Sequence, residues 1–287
     1  MIKKEKVVRV PIIHMASMAR SGETLLQRTF LAHPNIHVIA NFNEKDTKDE
    51  IARVEYFKKY PETEIEIDHP IIKDLKLDGK SILFVKQGVW EHKFPFRGFV
   101  LVRNPVSIFA SLVCFDKIDE RFITLLKRKV RTWLRPTKQD KIDNEYNFVR
   151  FMKWAIDVDT DLIQYLDLLD FSSLFCVFYN RRMAPLRELG LPILYYERFV
   201  ADPDTELRRL LLQLDIEFYP SMLESHVSYQ KGTIGHGKID LSKPISVDST
   251  DKYKKIGKPV FDRICALTYN TWSAYGYDMS WAKIEVK

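Results

Sequence analysis

Short runs rich in β-branched and aromatic residues alternate with stretches of helical period along this chain, and that alternation limits the fold more than any other feature. Val8 to Ala16 reads as a strand, Gly22 to Ala32 as a helix and Ile36 to Ala40 as a strand, followed by a polar helical insert from Lys45 to Tyr60. Ser81 to Lys86 and Phe99 to Val102 are strand-like, Val106 to Cys114 is a helix, and Phe122 to Leu189 is mostly helical. The strand Ile193 to Glu197 and a helix from about Pro203 to Leu214 come next. In that helix Leu207, Leu210, Leu211 and Leu214 recur at i, i+3, i+4 and i+7 and make one buried face, while Pro203 sits in the first turn, where a missing amide donor costs little. Strands alternating with helices imply an α/β fold with a central parallel sheet flanked by helices. Such sheets bind ligands at the carboxyl ends of their strands, so the chemistry is expected in the loops that follow them. With 287 residues, 46% of them hydrophobic, the chain can bury the core of one large domain, read here as a single domain over 1–287.

Several function classes are disfavoured by composition. There is no run of about 18 apolar residues to span a bilayer. The charged start Met1-Ile2-Lys3-Lys4-Glu5-Lys6, and an apolar stretch broken by Arg9, Pro11 and His14, read as a first strand rather than a signal peptide. Cys114, Cys176 and Cys265 are odd in number, scattered and set among apolar residues, as free core thiols of a reducing, cytoplasmic compartment would be. No metal-ligand spacing occurs. The net charge of +6 favours an anionic ligand, but the basic residues are spread out and are not interleaved with aromatics as in a nucleic-acid binder, so no nucleic-acid partner is expected.

The first strand runs into Ser17-Met18-Ala19-Arg20-Ser21-Gly22-Glu23-Thr24-Leu25-Leu26. A strand, a short Ser-Gly-x-Thr loop and an apolar helix are what a phosphate-cradling turn needs, because backbone amides converge at a helix N-terminus where the macrodipole favours an anion. Gly22 allows close approach, Ser21 and Thr24 offer hydroxyls, and Arg20 supplies charge. The same pattern also suits a plain strand followed by an N-capped helix. A phosphate loop that hydrolyses ATP ends instead in Gly-Lys-Ser/Thr. Here Glu23 follows the glycine, the cation stands before it at Arg20, and no apolar strand ends in an aspartate for magnesium. The donor is therefore expected to need no metal.

Arg20-Ser21-Gly22-Glu23-Thr24-Leu25-Leu26 with the later His33-Pro34 resembles the 5′-phosphosulfate loop of sulfotransferases that use 3′-phosphoadenosine 5′-phosphosulfate (PAPS). The resemblance implies a P-loop-like sulfotransferase fold, in which Arg20 contacts the transferring sulfuryl and Ser21, Gly22, Glu23, Thr24 and Leu25 surround the 5′-phosphate. Two positions depart from the family pattern. Ser17 stands where a glycine is common, and Glu23 replaces a hydroxyl residue, so its carboxylate would repel the phosphate unless it turns outward and contributes only its amide.

Phe99-Val100-Leu101-Val102-Arg103-Asn104-Pro105 carries an apolar strand to an arginine, and Ser111 lies eight residues after Arg103 in the helix that Pro105 opens. An arginine and a hydroxyl at a strand end can hold a terminal phosphate, and the same residues can equally cap a helix. The segment resembles the family's 3′-phosphate site, which implies that Arg103 and Ser111 select PAPS over ATP. Ile193-Leu194-Tyr195-Tyr196-Glu197-Arg198 resembles the family's Tyr-Glu-Asp segment and implies Tyr196 against the adenine, with Arg198 in place of the aspartate. Lys231-Gly232 resembles, more loosely, the basic loop that closes over the 3′-phosphate.

Sulfuryl transfer should run in line through a loose transition state, as phosphoryl transfer does, with cations meeting the developing charge. Arg20 is the first candidate for that role and Lys86, at the end of its strand, the second. The acceptor proton needs a base, which the family resemblance implies in the loop after the second or third strand, here at Glu44 or next at His92 beside Glu91. His14, His33 and His37 read as structural. The acceptor, a small molecule, glycan or lipid with a hydroxyl or amine, is expected against the helical segment of about 116–190, which holds Trp133 and Trp154. Alternatives are a P-loop nucleotide kinase and a non-catalytic nucleotide-binding relative.

Overall fold

The structure is a computed structural model and describes residues 7–39, 48–88, 97–112, 159–165, 170–235 and 239–276. Two compact units divide the chain: Met1–Val102 with Glu188–Val247, and Arg103–Arg187 with Asp248–Lys287.

The first unit holds a six-stranded sheet. Its strands are β1 (Arg9–Ser17), β2 (Ile36–Ile39), β3 (Glu64–Glu66), β4 (Ile82–Gly88), β5 (Gly98–Val102) and β6 (Ile193–Tyr195). The order is β2-β4-β1-β5-β6, and these five strands pair in parallel. β3 adds an antiparallel partner to the first residues of β1, with Arg9 opposite Glu66 and Pro11 opposite Glu64.

Side chains alternate across this sheet as strand geometry requires. On one face Ile13, Met15, Phe84, Phe99 and Leu101 pack under α1 (Glu23–Leu31), α5 (Tyr196–Ala201) and α6 (Pro203–Leu214), through Leu25, Leu26, Phe30, Phe199, Leu207, Leu210, Leu211 and Leu214. On the other Val10, Ile12, Leu83 and Val85 meet Phe57 of α2 (Lys48–Lys59) together with Ile65 and Ile72. Burial on both faces explains why these strands read as nearly continuous apolar runs. β5 approaches β1 so closely that a Cβ at Gly98 would lie 1.9 Å from the His14 carbonyl oxygen, which reserves position 98 for glycine.

Among the described residues the expected strands and helices occur, with boundary corrections that follow from pairing. β4 does not end at Lys86 but runs on to Gly88, because Ser17 of β1 is its partner there. The strand expected over Ile193 to Glu197 ends at Tyr195 and Tyr196 already begins α5, because the neighbouring β5 stops at Val102, opposite Tyr195. The leucine face of α6 is buried as its period predicts, and Asp202 caps that helix by accepting from the Thr205 amide at 3.2 Å.

The second unit contains α3 (Pro105–Leu112), α4 (Phe171–Glu188) and α7 (Lys258–Ala274). α4 and α7 are tied by polar contacts at both ends. Asp170 accepts from the Ser173 amide at 2.9 Å and pairs with Arg263, Asn180 donates to the Leu267 carbonyl at 2.8 Å, and the Tyr275 hydroxyl donates to Met183 O at 2.6 Å. Burial pushes the thiols of Cys176 to about 12 and Cys265 to about 11, so both stay protonated and unreactive. Cys114 and most of the segment 116–190, with Trp133 and Trp154, lie outside the described residues. No described helix is long and apolar enough to cross a membrane.

Candidate functional site

At the carboxyl end of β1, the middle strand of the parallel set, the chain turns through two left-handed residues, Arg20 at φ 73° and Gly22 at φ 108°. For a residue with a side chain that conformation costs about 1–2 kcal/mol, and Arg20 holds it. The turn is closed by the Ser21 amide, which donates to Met18 O at 3.1 Å, and Gly22 O accepts from the amides of Leu25 and Leu26 at 3.0 and 3.2 Å. α1 therefore starts from a glycine cap, and no side chain caps its first turn. The Ser21 hydroxyl is fully buried and has no hydrogen-bond partner among the described residues. A helix N-terminus with a left-handed approach and an unsatisfied buried hydroxyl is equipped to hold an anionic oxygen.

Gly22 is required twice. Besides its positive φ, a Cβ there would stand 2.2 Å from Cε2 of Tyr196. The ring of Tyr196, 4% exposed, thus lies flat against the turn and belongs to the same core as Leu25 and Leu26. Leu25 itself points into that core, which leaves only its backbone for a ligand. Thr24 is half-buried beside it.

At Glu23 the condition stated above, a carboxylate turned outward, is not met. Its carboxylate turns inward rather than outward and is 7% exposed. The Ser17 hydroxyl donates to Oε1 at 3.4 Å, and the Lys86 ammonium stands 3.7 Å from the same oxygen. Lys86 on β4 pairs in register with Met15 of β1, which aims its side chain at this corner and compensates the charge. Ser17 and Glu23 are therefore in contact with one another, and Glu23 also faces the second candidate cation.

Arg103 and Ser111 belong to the second unit. Arg103 follows β5 directly and is 4% exposed, and Ser111 stands in the last turn of α3, half-buried. Between them Asn104 caps α3, its Oδ1 accepting from the amides of Val106 at 2.7 Å and Ser107 at 3.3 Å. Lys231 and Gly232 form an exposed turn in the first unit, with Gly232 at φ 81°. Glu44, Glu91 and His92 lie outside the described residues. Of the histidines read as structural, two are held by the backbone. His14 Nε2 lies 2.7 Å from Glu62 O, and burial lowers its pKa to about 4. His33 bridges Glu217 O at 3.0 Å and the Asn35 amide at 3.1 Å. Arg198 stacks on the Tyr195 ring at 4.6 Å.

Sequence reasoning missed Arg28. It is 1% exposed in the middle of α1, and its Nη1 donates to the carbonyls of Leu241 at 2.8 Å and Lys243 at 2.7 Å. Burial lowers its pKa, against the pull of Tyr229 and Asp240. No local sequence signal marks it, since an arginine in a short helix ordinarily reads as solvated, whereas the structure buries every neighbour from Leu25 to Phe30.

No family model matches the chain. Three solved structures are similar to it. The sulfotransferase domain from the curacin biosynthetic pathway shares 17% identity over 92% of this chain and 99% of its own, with a TM-score of 0.43. The sulfotransferase domain from the Synechococcus PCC 7002 olefin synthase shares 14% over 96% and 98%, with a TM-score of 0.48. A sulfotransferase from Alicyclobacillus acidocaldarius shares 13% over 94% and 100%, with a TM-score of 0.34. All three are sulfotransferases.

Proposed function

We propose that the chain is a sulfotransferase that carries a sulfuryl group from PAPS to a hydroxyl or amine of a small-molecule, glycan or lipid acceptor. The observation that carries this reading is the turn after β1, where a helix N-terminus without a side-chain cap, the left-handed Arg20 and the buried Ser21 hydroxyl meet at the carboxyl end of the middle strand. A 5′-phosphosulfate suits such a donor set, since its oxygens accept from backbone amides and hydroxyls and its charge is met by an arginine. In this reading Ser21, Gly22, Glu23, Thr24 and Leu25 contribute amides, Ser21 and Thr24 contribute hydroxyls, and Tyr196 borders the nucleotide. By the resemblance in sequence alone, Arg103 and Ser111 are assigned to the 3′-phosphate, and Lys231 and Gly232 more loosely.

In the transfer the acceptor oxygen or nitrogen forms a bond to sulfur while the bond from sulfur to the bridging phosphate oxygen breaks. The acceptor's proton passes to a base, assigned to Glu44 and then to His92, and 3′-phosphoadenosine 5′-phosphate leaves. Arg20 meets the charge that grows on the bridging oxygen, and Lys86, held by Glu23, serves as the second cation.

Calorimetry without magnesium tests the donor half. The wild-type chain should bind 3′-phosphoadenosine 5′-phosphate much more tightly than AMP. Arg103→Ala should weaken the bisphosphate by roughly 1.5–3 kcal/mol, about 10- to 150-fold, while leaving AMP unchanged. Equal affinity of the wild type for the two nucleotides would overturn the reading.

A further inference from the structure

The turn that contains Lys231 and Gly232 has little to hold it in place by itself. It leads into a two-stranded hairpin, β7 (Ile234–Gly235) and β8 (Ile239–Asp240), with only two paired positions. An isolated hairpin of this size is not stable in water. A chain of hydrogen bonds ties it down. The Gly232 amide donates to Ser242 Oγ at 3.2 Å, and Ser242 Oγ donates to Asp240 at 2.6 Å. The Leu241 amide donates to Thr233 O at 2.8 Å, and the Thr233 hydroxyl donates to Gln230 O at 2.7 Å. The carbonyls of Leu241 and Lys243 then accept from Arg28, two bonds from one nitrogen of a guanidinium buried in α1. The other two nitrogens of Arg28, Nε and Nη2, are buried without partners among the described residues. A buried cation with unmade bonds is an expensive way to hold two carbonyls, and a methionine of similar length would fill the space without that penalty.

We infer that Arg28 is a positioning residue, which clamps residues 239–243, and through their bonds the 230–233 turn, onto the helix that begins at the anion-holding turn and so fixes Lys231 and Gly232 relative to it. The clamp deepens the proposed function and rests on the reading of Lys231 and Gly232 as a phosphate loop. One helix then serves at both ends. Its first turn faces the 5′ side of the nucleotide, and its middle holds the loop assigned to the 3′-phosphate, through a side chain that need not touch the ligand.

The test uses Arg28→Met, Arg28→Lys and Ser242→Ala in the full chain, with amide hydrogen exchange and calorimetry on 3′-phosphoadenosine 5′-phosphate and AMP. In Arg28→Met the amides of Gly232 and Leu241 should exchange at least about tenfold faster, while those of Ile13 and Phe84 in the sheet keep their protection. Affinity for the bisphosphate should fall about tenfold, with AMP within about twofold. Arg28→Lys, which keeps charge and donors, should recover a large part of both losses, as a merely space-filling residue would not. Wild-type exchange and a wild-type ratio of the two affinities in Arg28→Met overturn the clamp. Faster exchange with an unchanged ratio keeps the clamp and removes Lys231 and Gly232 from the phosphate site. Should Arg28→Met fail to fold, Ser242→Ala, which cuts the Gly232 bond without touching α1, must show the same loss of ratio. Wild-type behaviour of that variant overturns the relay.

Discussion

β1 and β5 are neighbours in the sheet, and each hands the chain into a helix within a few residues, yet the two turns are built in opposite ways. After β5, Asn104 folds its own carboxamide over the first amides of α3, and Pro105 removes one amide that would otherwise need a partner. The helix is finished by its own chain, and what the turn offers is the side chain of Arg103. After β1, a glycine stands at the cap of α1 and has no side chain to fold over it, and among the described residues a buried serine hydroxyl is left without a partner. Here the turn offers the backbone itself. The difference shows how one motif, strand to helix, yields either a self-satisfied joint or an open one, and only the open joint has donors to spare for an anion.

The largest expected effect lies at the open turn. Gly22→Ala places a methyl into the Tyr196 ring at a φ of 108° and should destabilise the chain by roughly 2–5 kcal/mol in urea denaturation. Bisphosphate binding should disappear with it. A variant within about 1 kcal/mol of the wild type would mean that the ring moves aside easily and that the turn is not rigid.

The strands differ as well as the turns. β5 carries no titratable side chain, whereas β1 buries His14, whose pKa is lowered from 6.5 to about 4 by desolvation. Between those values the unfolded chain takes up a proton that the folded chain refuses. Stability is therefore full above the unfolded value and falls as the pH drops toward the folded one, by about 3 kcal/mol in all. His33, also lowered by burial, acts in the same direction. Urea denaturation at stepped pH should show this slope, and His14→Asn should flatten it. An unchanged slope in that variant would assign the acid sensitivity elsewhere.

The smallest effects form a pair that contrasts the two caps directly. Asn104→Ala should cost about 0.5–2 kcal/mol of stability, as the loss of a working cap does. Ser21→Ala removes a hydroxyl that bonds to nothing within the described chain and should change stability by less than about 0.5 kcal/mol. Its cost should appear only in the affinity for phosphate-bearing ligands. A large loss of stability in Ser21→Ala would erase the distinction between the two turns.

Much of this was legible in the residues. The leucines of α6 and the apolar runs of β1, β4 and β5 announce their elements because burial on one face or two leaves a periodic record. The Glu64–Glu66 strand left no such record, being three residues long with two carboxylates; it is held by its backbone pairing with β1 and the buried Ile65, and Arg9 pairs with both carboxylates at the surface. Tyr196 was placed in a strand because local pattern cannot reveal where the neighbouring strand stops. That Glu23 turns inward is not legible locally, because the Lys86 that faces it is 63 residues away in sequence. Arg28 escaped for a related reason: its two carbonyl partners lie more than two hundred positions downstream.

The contact between Gly22 and the Tyr196 ring also orders the routes by which such a turn could change over generations. While the ring is in place, every side chain at position 22 collides with it, so a first step there is closed. A smaller residue at 196 opens the space, but the left-handed backbone still admits few successors, asparagine and aspartate foremost. Descendants that abandon this glycine must therefore pass first through a chain that has lost its aromatic cover, and the reverse order of substitutions is barred.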